Sequence, residues 1–409
     1  MNRVKHISKF LGLQRSTVGM LSMVILVGMG ERMAERFLPI YLMALGGGAL
    51  SIGILNGLDN LLSALYSFPG GYLSDRLGKK RALLVFNIVA MCGFLIVILF
   101  PAWQAVLLGA VFFLSWTAIS LPATMDLVAT VLPKNKRTMG VSMHSLVRRI
   151  PMALGPILGG LCIGLWGEQD GVRMAFVAAL LLSIAAAVLQ QVLIVDDGPG
   201  KDRQEGAPSA EKNPFRLFRH MAHPLRRLLI SDILIRFCEQ IPYAFVVVWC
   251  MKTIASPITA FQFGILTGIE MVTAMLVYIP VAYLADQRTK KPFVVTTFIF
   301  FTLFPITLLF CRSFSWLVAA FILRGLKEFG EPTRKALIMD LAPEDRKAAM
   351  FGLYYLLRDI IVSTAAFGGA LLWKIGPSVN FSVAFACGIL GTVWFARWGS
   401  DQSTEGPLS

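Results

Sequence analysis

The chain repeats itself. Laying Gly53–Arg81 on Gly264–Pro292 without a gap pairs identical residues at Gly53, Ile54, Leu55, Gly57, Leu65, Pro69, Tyr72, Leu73, Asp75, Lys79 and Lys80. Chance gives roughly two or three matches over such a stretch at this composition. Asp59 falls on Glu270, and Asp75 falls on Asp286. Pro122 with Pro332, Pro133 with Pro343 and Arg148 with Arg358 continue nearly the same displacement. An internal duplication of this length decides architecture ahead of any local signal.

The repeated stretch lies among apolar runs long enough to cross a bilayer, whose core of ~30 Å takes about 20 helical residues. Twelve such runs follow at about 18–44, 49–73, 82–100, 103–132, 139–166, 172–195, 226–252, 260–284, 292–311, 316–341, 348–373 and 378–398. With 56% hydrophobic and 15% charged residues over 409 positions, the chain is too apolar for a soluble protein of this size. The formal net charge of +14 invites a nucleic-acid reading. Its placement argues for membrane topology instead. Lys and Arg crowd the N-terminal tail (Arg3, Lys5, Lys9, Arg15) and alternate loops (Arg76, Lys79, Lys80 and Arg81, for example). The opposite side carries only Arg173, Lys252, Arg312 and Lys374. That asymmetry assigns the basic side to the cytoplasm. An even number of spans puts both termini there. The expected organisation is a basic tail at 1–17, six-helix halves at 18–195 and 226–398, a breaker-rich cytoplasmic linker at 196–225 and a short tail at 399–409.

Between the second and third runs stands Gly71-Tyr72-Leu73-Ser74-Asp75-Arg76-Leu77-Gly78-Lys79-Lys80-Arg81. Gly71 permits close helix approach, Gly78 supplies a turn, and the basic cluster holds the loop at the headgroups. The pattern Gly-x-Leu-x-Asp-Arg-x-Gly-Lys-Lys-Arg resembles motif A of the major facilitator superfamily, and the resemblance extends over the whole chain outside the linker and tails. It implies an all-α membrane protein of twelve transmembrane helices in two pseudo-symmetric six-helix halves. It also implies that helices 1, 4, 7 and 10 line a central cavity. Gly71, Asp75, Arg76 and Gly78, with Asp286 in the second half, are then expected as cytoplasmic gating residues.

Charges inside the spans carry the chemistry, because an ionisable group at bilayer depth costs about 3 kcal/mol or more. Helix 1 has Glu31, Arg32, Glu35 and Arg36, and helix 7 has Arg236 and Glu239, so Arg32-x-x-Glu35 recurs as Arg236-x-x-Glu239. Helix 10 has Arg324, Lys327, Glu328, Glu331, Arg334 and Lys335. Helix 4 offers Asp126, helix 5 offers His144, Arg148 and Arg149, and helix 11 offers Arg358 and Asp359. Two readings stand side by side. In one, Glu31, Arg32, Glu35, Arg36, Asp126, Arg148, Arg236, Glu239, Glu328 and Arg358 bind a proton or a charged solute. In the other they are static ion pairs between helices. The excess of basic groups favours a solute with negative charge.

Two further resemblances bear on direction. Gly155-Pro156-Ile157-Leu158-Gly159-Gly160 is similar to the Gly-Pro-x-x-Gly-Gly core of the antiporter motif of drug exporters, with Pro151 where an upstream glycine is expected. Glu35-Arg36-Phe37 is similar to part of the Glu-x-x-Glu-Arg-Phe motif of proton-coupled oligopeptide transporters, with Glu31 one residue out of place. The expected function is a secondary transporter moving a small charged or amphipathic solute by alternating access, proton-coupled and exporting. Proton-coupled import of peptides or organic anions is the alternative, and a non-transporting sensor is the alternative of another class. No Walker A string, nucleophile elbow or metal-ligand spacing occurs in the sequence, so no enzyme activity, cofactor or metal is expected beyond the proton gradient. The partners expected are the solute and the lipid bilayer, with no nucleic acid. The chain is expected to act as a monomer in the bacterial inner (plasma) membrane.

Overall fold

The computed structural model describes residues 15–114, 116, 120, 124, 137–194, 218–219, 221–286, 289–343 and 347–401. Asp126 and most of the linker and tails lie outside the described residues. The first half contains α1 (Arg15–Glu35), α2 (Leu38–Ala44), α3 (Ala49–Leu77), α4 (Lys79–Leu99), α5 (Trp103–Phe113) and α6 (Arg137–Leu193). The second contains α7 (His223–Tyr243), α8 (Val246–Val248), α9 (Ala260–Asp286), α10 (Lys291–Phe310), α11 (Phe314–Leu326), α12 (Glu331–Asp340), α13 (Lys347–Ile375) and α14 (Pro377–Trp398). A π-helical turn, Trp249–Thr253, follows α8.

Among the described residues three of the expected spans are broken, and each break has a proline beside it. Span 1 divides into α1 and α2 at Arg36–Phe37, just before Pro39. Span 7 bends by 42° after Tyr243, next to Pro242. Span 10 divides into α11 and α12, with Pro332 in the first turn of α12. Proline has no N–H to give the preceding turn, so its helix stops or bends there. Charged residues sit at two of these breaks: Glu35 and Arg36 at the first, Lys327 and Glu328 at the third. Spans 5 and 6 instead run together as α6, divided at Gly167 by a left-handed φ of +80°.

The repeated loop is tighter than a loop. Helix α3 ends at Leu77 and α4 starts at Lys79, so the turn is the single residue Gly78, with φ +81°. A β-carbon is strained there, which explains the glycine. Gly71 and Asp75 lie within α3, and Asp286 is the last residue of α9.

Two compact units emerge. Unit 1 holds residues 1–51, 62–203 and 259–268; unit 2 holds 52–61, 204–258 and 269–409. In unit 1, α1 packs along both limbs of α6: a β-carbon on Gly159 would collide with the Met33 carbonyl oxygen, and one on Gly30 would stand 2.7 Å from Ala179 Cα. Gly160 and Gly264 sit at a second close crossing in the same unit, each against backbone of the other's helix. In unit 2, Gly369 approaches Ile241 and Gly53 approaches Ala370 in the same manner. Small residues at such crossings let backbones touch, which is how helices associate where lipid offers no hydrophobic driving force.

Those contacts fix how the two halves correspond. Gly159 against Met33 answers to Gly369 against Ile241. With Met33 laid on Ile241, the helix ends Glu35 and Tyr243 coincide, and so do Phe37 and Phe245, which immediately precede α2 and α8. In that correspondence Glu239 answers to Glu31, and Glu35 answers to Tyr243. The sequence recurrence Arg32-x-x-Glu35 and Arg236-x-x-Glu239 is therefore displaced by one turn, roughly 6 Å along the helix.

Candidate functional site

The buried charges of unit 2 form one ladder. Arg324 Nε lies 3.2 Å from Glu270 Oε1, and Lys327 Nζ lies 3.5 Å from the same oxygen. Lys327 also donates to Glu239 Oε1 at 2.7 Å. Arg236 reaches Glu239 Oε2 at 2.6 Å and Glu331 Oε2 at 3.6 Å. Arg334 joins Glu331, at 2.7 Å, to Asp232. Arg358 then bridges Asp232 at 3.5 Å and Asp359 at 2.7 Å. From one end to the other, Arg324, Glu270, Lys327, Glu239, Arg236, Glu331, Arg334, Asp232, Arg358 and Asp359 alternate in sign at every step.

Local structure places each rung. Asp232, Arg236 and Glu239 are spaced four and three apart on α7 and share one face over roughly 10 Å of helix. The break after α11 turns Lys327 between two carboxylates. There the chain tightens into i to i+3 bonds, from Lys327 N–H to the Arg324 carbonyl and from Glu328 N–H to the Gly325 carbonyl, and Gly330 N–H finds Thr297 Oγ1 at 2.6 Å. Tyr354 on α13 donates its hydroxyl to Asp232 at 3.0 Å. Asp232 is 0% exposed and Arg334 is 1% exposed. A buried charge without a partner would cost several kcal/mol, on the order of 3–5, so the pair is held together by the expense of separating it.

Aromatic faces close the other end. The Arg324 guanidinium lies 5.0 Å from the Phe304 ring centre, 5.6 Å from Phe321 and 5.7 Å from Tyr243. Lys327 Nζ lies 5.6 Å from Phe301. Such placements attract a cation to the ring face. A narrow recess there is lined by Glu239, Tyr243, Phe301, Phe304, Arg324 and Lys327.

Of the ten residues read from sequence as proton or solute contacts, Arg236, Glu239 and Arg358 join this ladder; Arg324, Lys327, Glu331, Arg334 and Asp359, named there only as charges inside the spans, join it too. Glu328 stands in the turn beside Lys327. In unit 1, Arg32 pairs with Glu35 at 2.6 Å, Glu31 is buried, and Arg36 occupies the break. Arg148 is near enough to Arg32, Glu31 and Arg149 to feel all three. Arg76 is exposed in the last turn of α3. The side chains of Asp75, Asp286 and His144 lie outside the described residues, as does Asp126. Sequence reasoning does not single out Asp232 or Tyr354. Asp232 is legible all the same, being one turn before Arg236 on the face that carries Glu239. Tyr354 gives no such signal, because its role comes from a partner far away in sequence.

The chain belongs to the major facilitator superfamily: the family model of that description matches residues 20–256 and again 228–408. It is therefore an integral, multi-pass membrane protein with the twelve-helix fold expected, a secondary transporter of small-molecule solutes and not an enzyme.

Among particular relatives, an uncharacterised MFS-type transporter of Methanocaldococcus jannaschii is 23% identical over 365 residues, covering 86% of this chain and 87% of its own. The quinolone resistance protein NorA of Staphylococcus aureus is 26% identical over 188 residues, covering 46% of this chain and 47% of NorA, so that match spans about half of each. Two solved structures share the fold. A peptide transporter POT in complex with sulfate has a TM-score of 0.74 at 14% identity, covering 95% of this chain and 96% of its own. A variant of the nucleoside transporter NupG has a TM-score of 0.74 at 16% identity, covering 93% and 99%.

Proposed function

We propose that this protein is a proton-coupled exporter of a small charged or amphipathic solute, working by alternating access between the halves 18–195 and 226–398. The observation that carries proton coupling is the ladder: each of Lys327, Arg236 and Arg334 is shared by two carboxylates, so protonating one carboxylate lets its cation move to the other. Glu31, Arg32, Glu35, Arg36, Asp126 and Arg148 supply the solute and proton contacts of the first half, and Arg236, Glu239, Glu328 and Arg358 those of the second. Gly71, Asp75, Arg76, Gly78 and Asp286 gate the cytoplasmic side. The glycine crossings made by Gly155–Gly160 and the half-length similarity to NorA support the outward direction. The protein works as a monomer in the bacterial inner membrane, with both termini and the linker 196–225 in the cytoplasm.

A second reading, proton-coupled uptake of a peptide or an organic anion, draws on the balance of the ladder: a bound anion adds one negative charge to a neutral set, and a proton restores neutrality.

The test is reconstitution. Purified protein in liposomes with a pH-sensitive dye inside meets organic anions, peptides and cationic drugs under an imposed proton gradient, beside Glu35→Gln and Asp75→Asn. Proton movement that requires one solute, with direction read from radiolabel, supports the proposal. Flux without proton movement overturns the coupling. Binding without flux makes the protein a sensor.

A further inference from the structure

Arginines from three segments gather where α7 begins. Arg226 donates from Nη2 to the carbonyl oxygens of Phe218 and Arg219, at 3.1 and 2.9 Å, and its guanidinium stands 5.2 Å from the Phe218 ring centre. These contacts fold the two residues back onto the first turn of α7. Arg227 donates from Nη1 to the Trp398 carbonyl at 3.4 Å, which brings the last turn of α14 to the same place. Arg397 lies in that turn, 5.6 Å from the Trp398 ring centre, and Trp398 packs on Trp394 with ring centres 4.6 Å apart. Arg219, Arg227 and Arg397 are exposed. Among the described residues none of the four arginines is in an ion pair with a carboxylate. Asp401, three residues past Trp398, sits instead with Lys290 and Lys291 at the start of α10.

One turn further into each helix the surface becomes apolar. Ile230, three residues along α7 from Arg227, is 43% exposed; on α14, Val393 and Leu390 are 53% and 61% exposed. Leu390, Val393 and Arg397 are spaced three and four apart, so they form one stripe over roughly 10 Å of helix. Tryptophan collects at the level where headgroups give way to hydrocarbon, and Trp394 and Trp398 stand at that level here. In a bilayer the molecule that covers such a stripe is a lipid, and its head then lies at the arginines.

We propose that the joined ends of α7 and α14 are a binding site for an anionic phospholipid of the phosphatidylglycerol class. Its phosphate meets the guanidinium groups of Arg219, Arg227 and Arg397, and its acyl chains lie along Ile230, Val393 and Leu390. This goes beyond the proposed function and does not depend on coupling or direction. Guanidinium groups offer paired N–H donors that suit phosphate oxygens. Cations without a carboxylate partner favour a head of net negative charge over a zwitterionic one, whose own ammonium already offsets its phosphate. Arg226 is a positioning residue: it holds the backbone at Arg219 and so brings that side chain to the site. The bound lipid thereby pins the end of the linker to the second half.

The probes are phosphatidylglycerol and phosphatidylcholine with the same acyl chains, each titrated into the purified full chain in detergent, with thermal unfolding as the readout. Phosphatidylglycerol is expected to raise the melting temperature at lower concentration than phosphatidylcholine, and added salt should shrink that difference. Arg219→Gln, Arg227→Gln and Arg397→Gln should each weaken phosphatidylglycerol binding by about fivefold. Arg312→Gln and Lys374→Gln, which remove charge from the opposite side, should leave it unchanged. Glycerophosphoglycerol, the same head without chains, and inorganic phosphate should not stabilise the protein at concentrations where the lipid does. Equal stabilisation by the two lipids, an equal loss in the opposite-side variants, or full stabilisation by inorganic phosphate would each overturn the inference, the last by making this a site for a free anion. The comparison of the two lipids needs no variant, so it decides the matter even where an arginine variant fails to fold. It is read without flux, so its failure and a failure of the proposed transport are told apart.

Discussion

Gly159 and Met33 touch through backbone: a β-carbon on the glycine would collide with the Met33 carbonyl oxygen. Gly369 stands in the same relation to the Ile241 carbonyl. No flexible side chain can give way at either place. Gly159→Ala and Gly369→Ala should each destabilise the protein by about 1–3 kcal/mol, the usual range for overpacking. Gly164→Ala, where nothing lies within 4 Å, should be neutral. Thermal unfolding of the three variants in detergent checks the ordering.

The Asp232 and Arg334 pair should behave as a buried unit. Asp232→Ala or Arg334→Ala alone leaves a buried charge with too few partners and should cost about 3–5 kcal/mol. The double variant should cost clearly less than the sum of the two, because the stranded charge is gone. A double-mutant cycle on unfolding free energies reads this directly, and simple additivity would contradict it.

At Gly78 the backbone is left-handed, with φ +81°. Gly78→Ala and Gly78→Asn should each cost about 1–3 kcal/mol, because φ +81° with ψ 152° is a conformation essentially confined to glycine. Similar falls in melting temperature for the two variants check that backbone strain is the cause.

Much of this is legible in the sequence and some is not, for physical reasons. The turn at Gly78 is readable because a one-residue link between two helices at φ +81° and ψ 152° suits little but glycine. The close crossings at Gly155–Gly160 are readable as small residues in an apolar run. The breaks in spans 1 and 10 escape a reading by hydropathy although Pro39 and Pro332 mark them, because an apolar run shows no interruption where the backbone does. The Arg-x-x-Glu recurrence misleads by one turn: short charge patterns recur on any helix face, and only backbone contacts set the register. The ladder itself is beyond reach. Its rungs join α7, α9, α11, α12 and α13, and sequence does not say which helices meet.

The exposed pair of Lys290 with Asp340 should matter little by contrast. Their side chains are 25% and 49% exposed, and surface ion pairs contribute about 0–1 kcal/mol. Lys290→Met should change unfolding stability by less than about 1 kcal/mol, and raising salt should remove whatever difference remains. A loss as large as that expected for Arg334→Ala would mean that Lys290 has a further partner.

Alternation of sign along the ladder has an electrical consequence. Carrying one elementary charge through a membrane potential costs about 2.3 kcal/mol per 100 mV. While they stay paired, five cations and five anions travel as a body without net charge, so a voltage exerts almost no force on that movement. These helices can change position at the same energy in a polarised cell as in a depolarised one. Voltage sensitivity in the cycle must then enter with the proton, with the solute, or with charges outside the ladder.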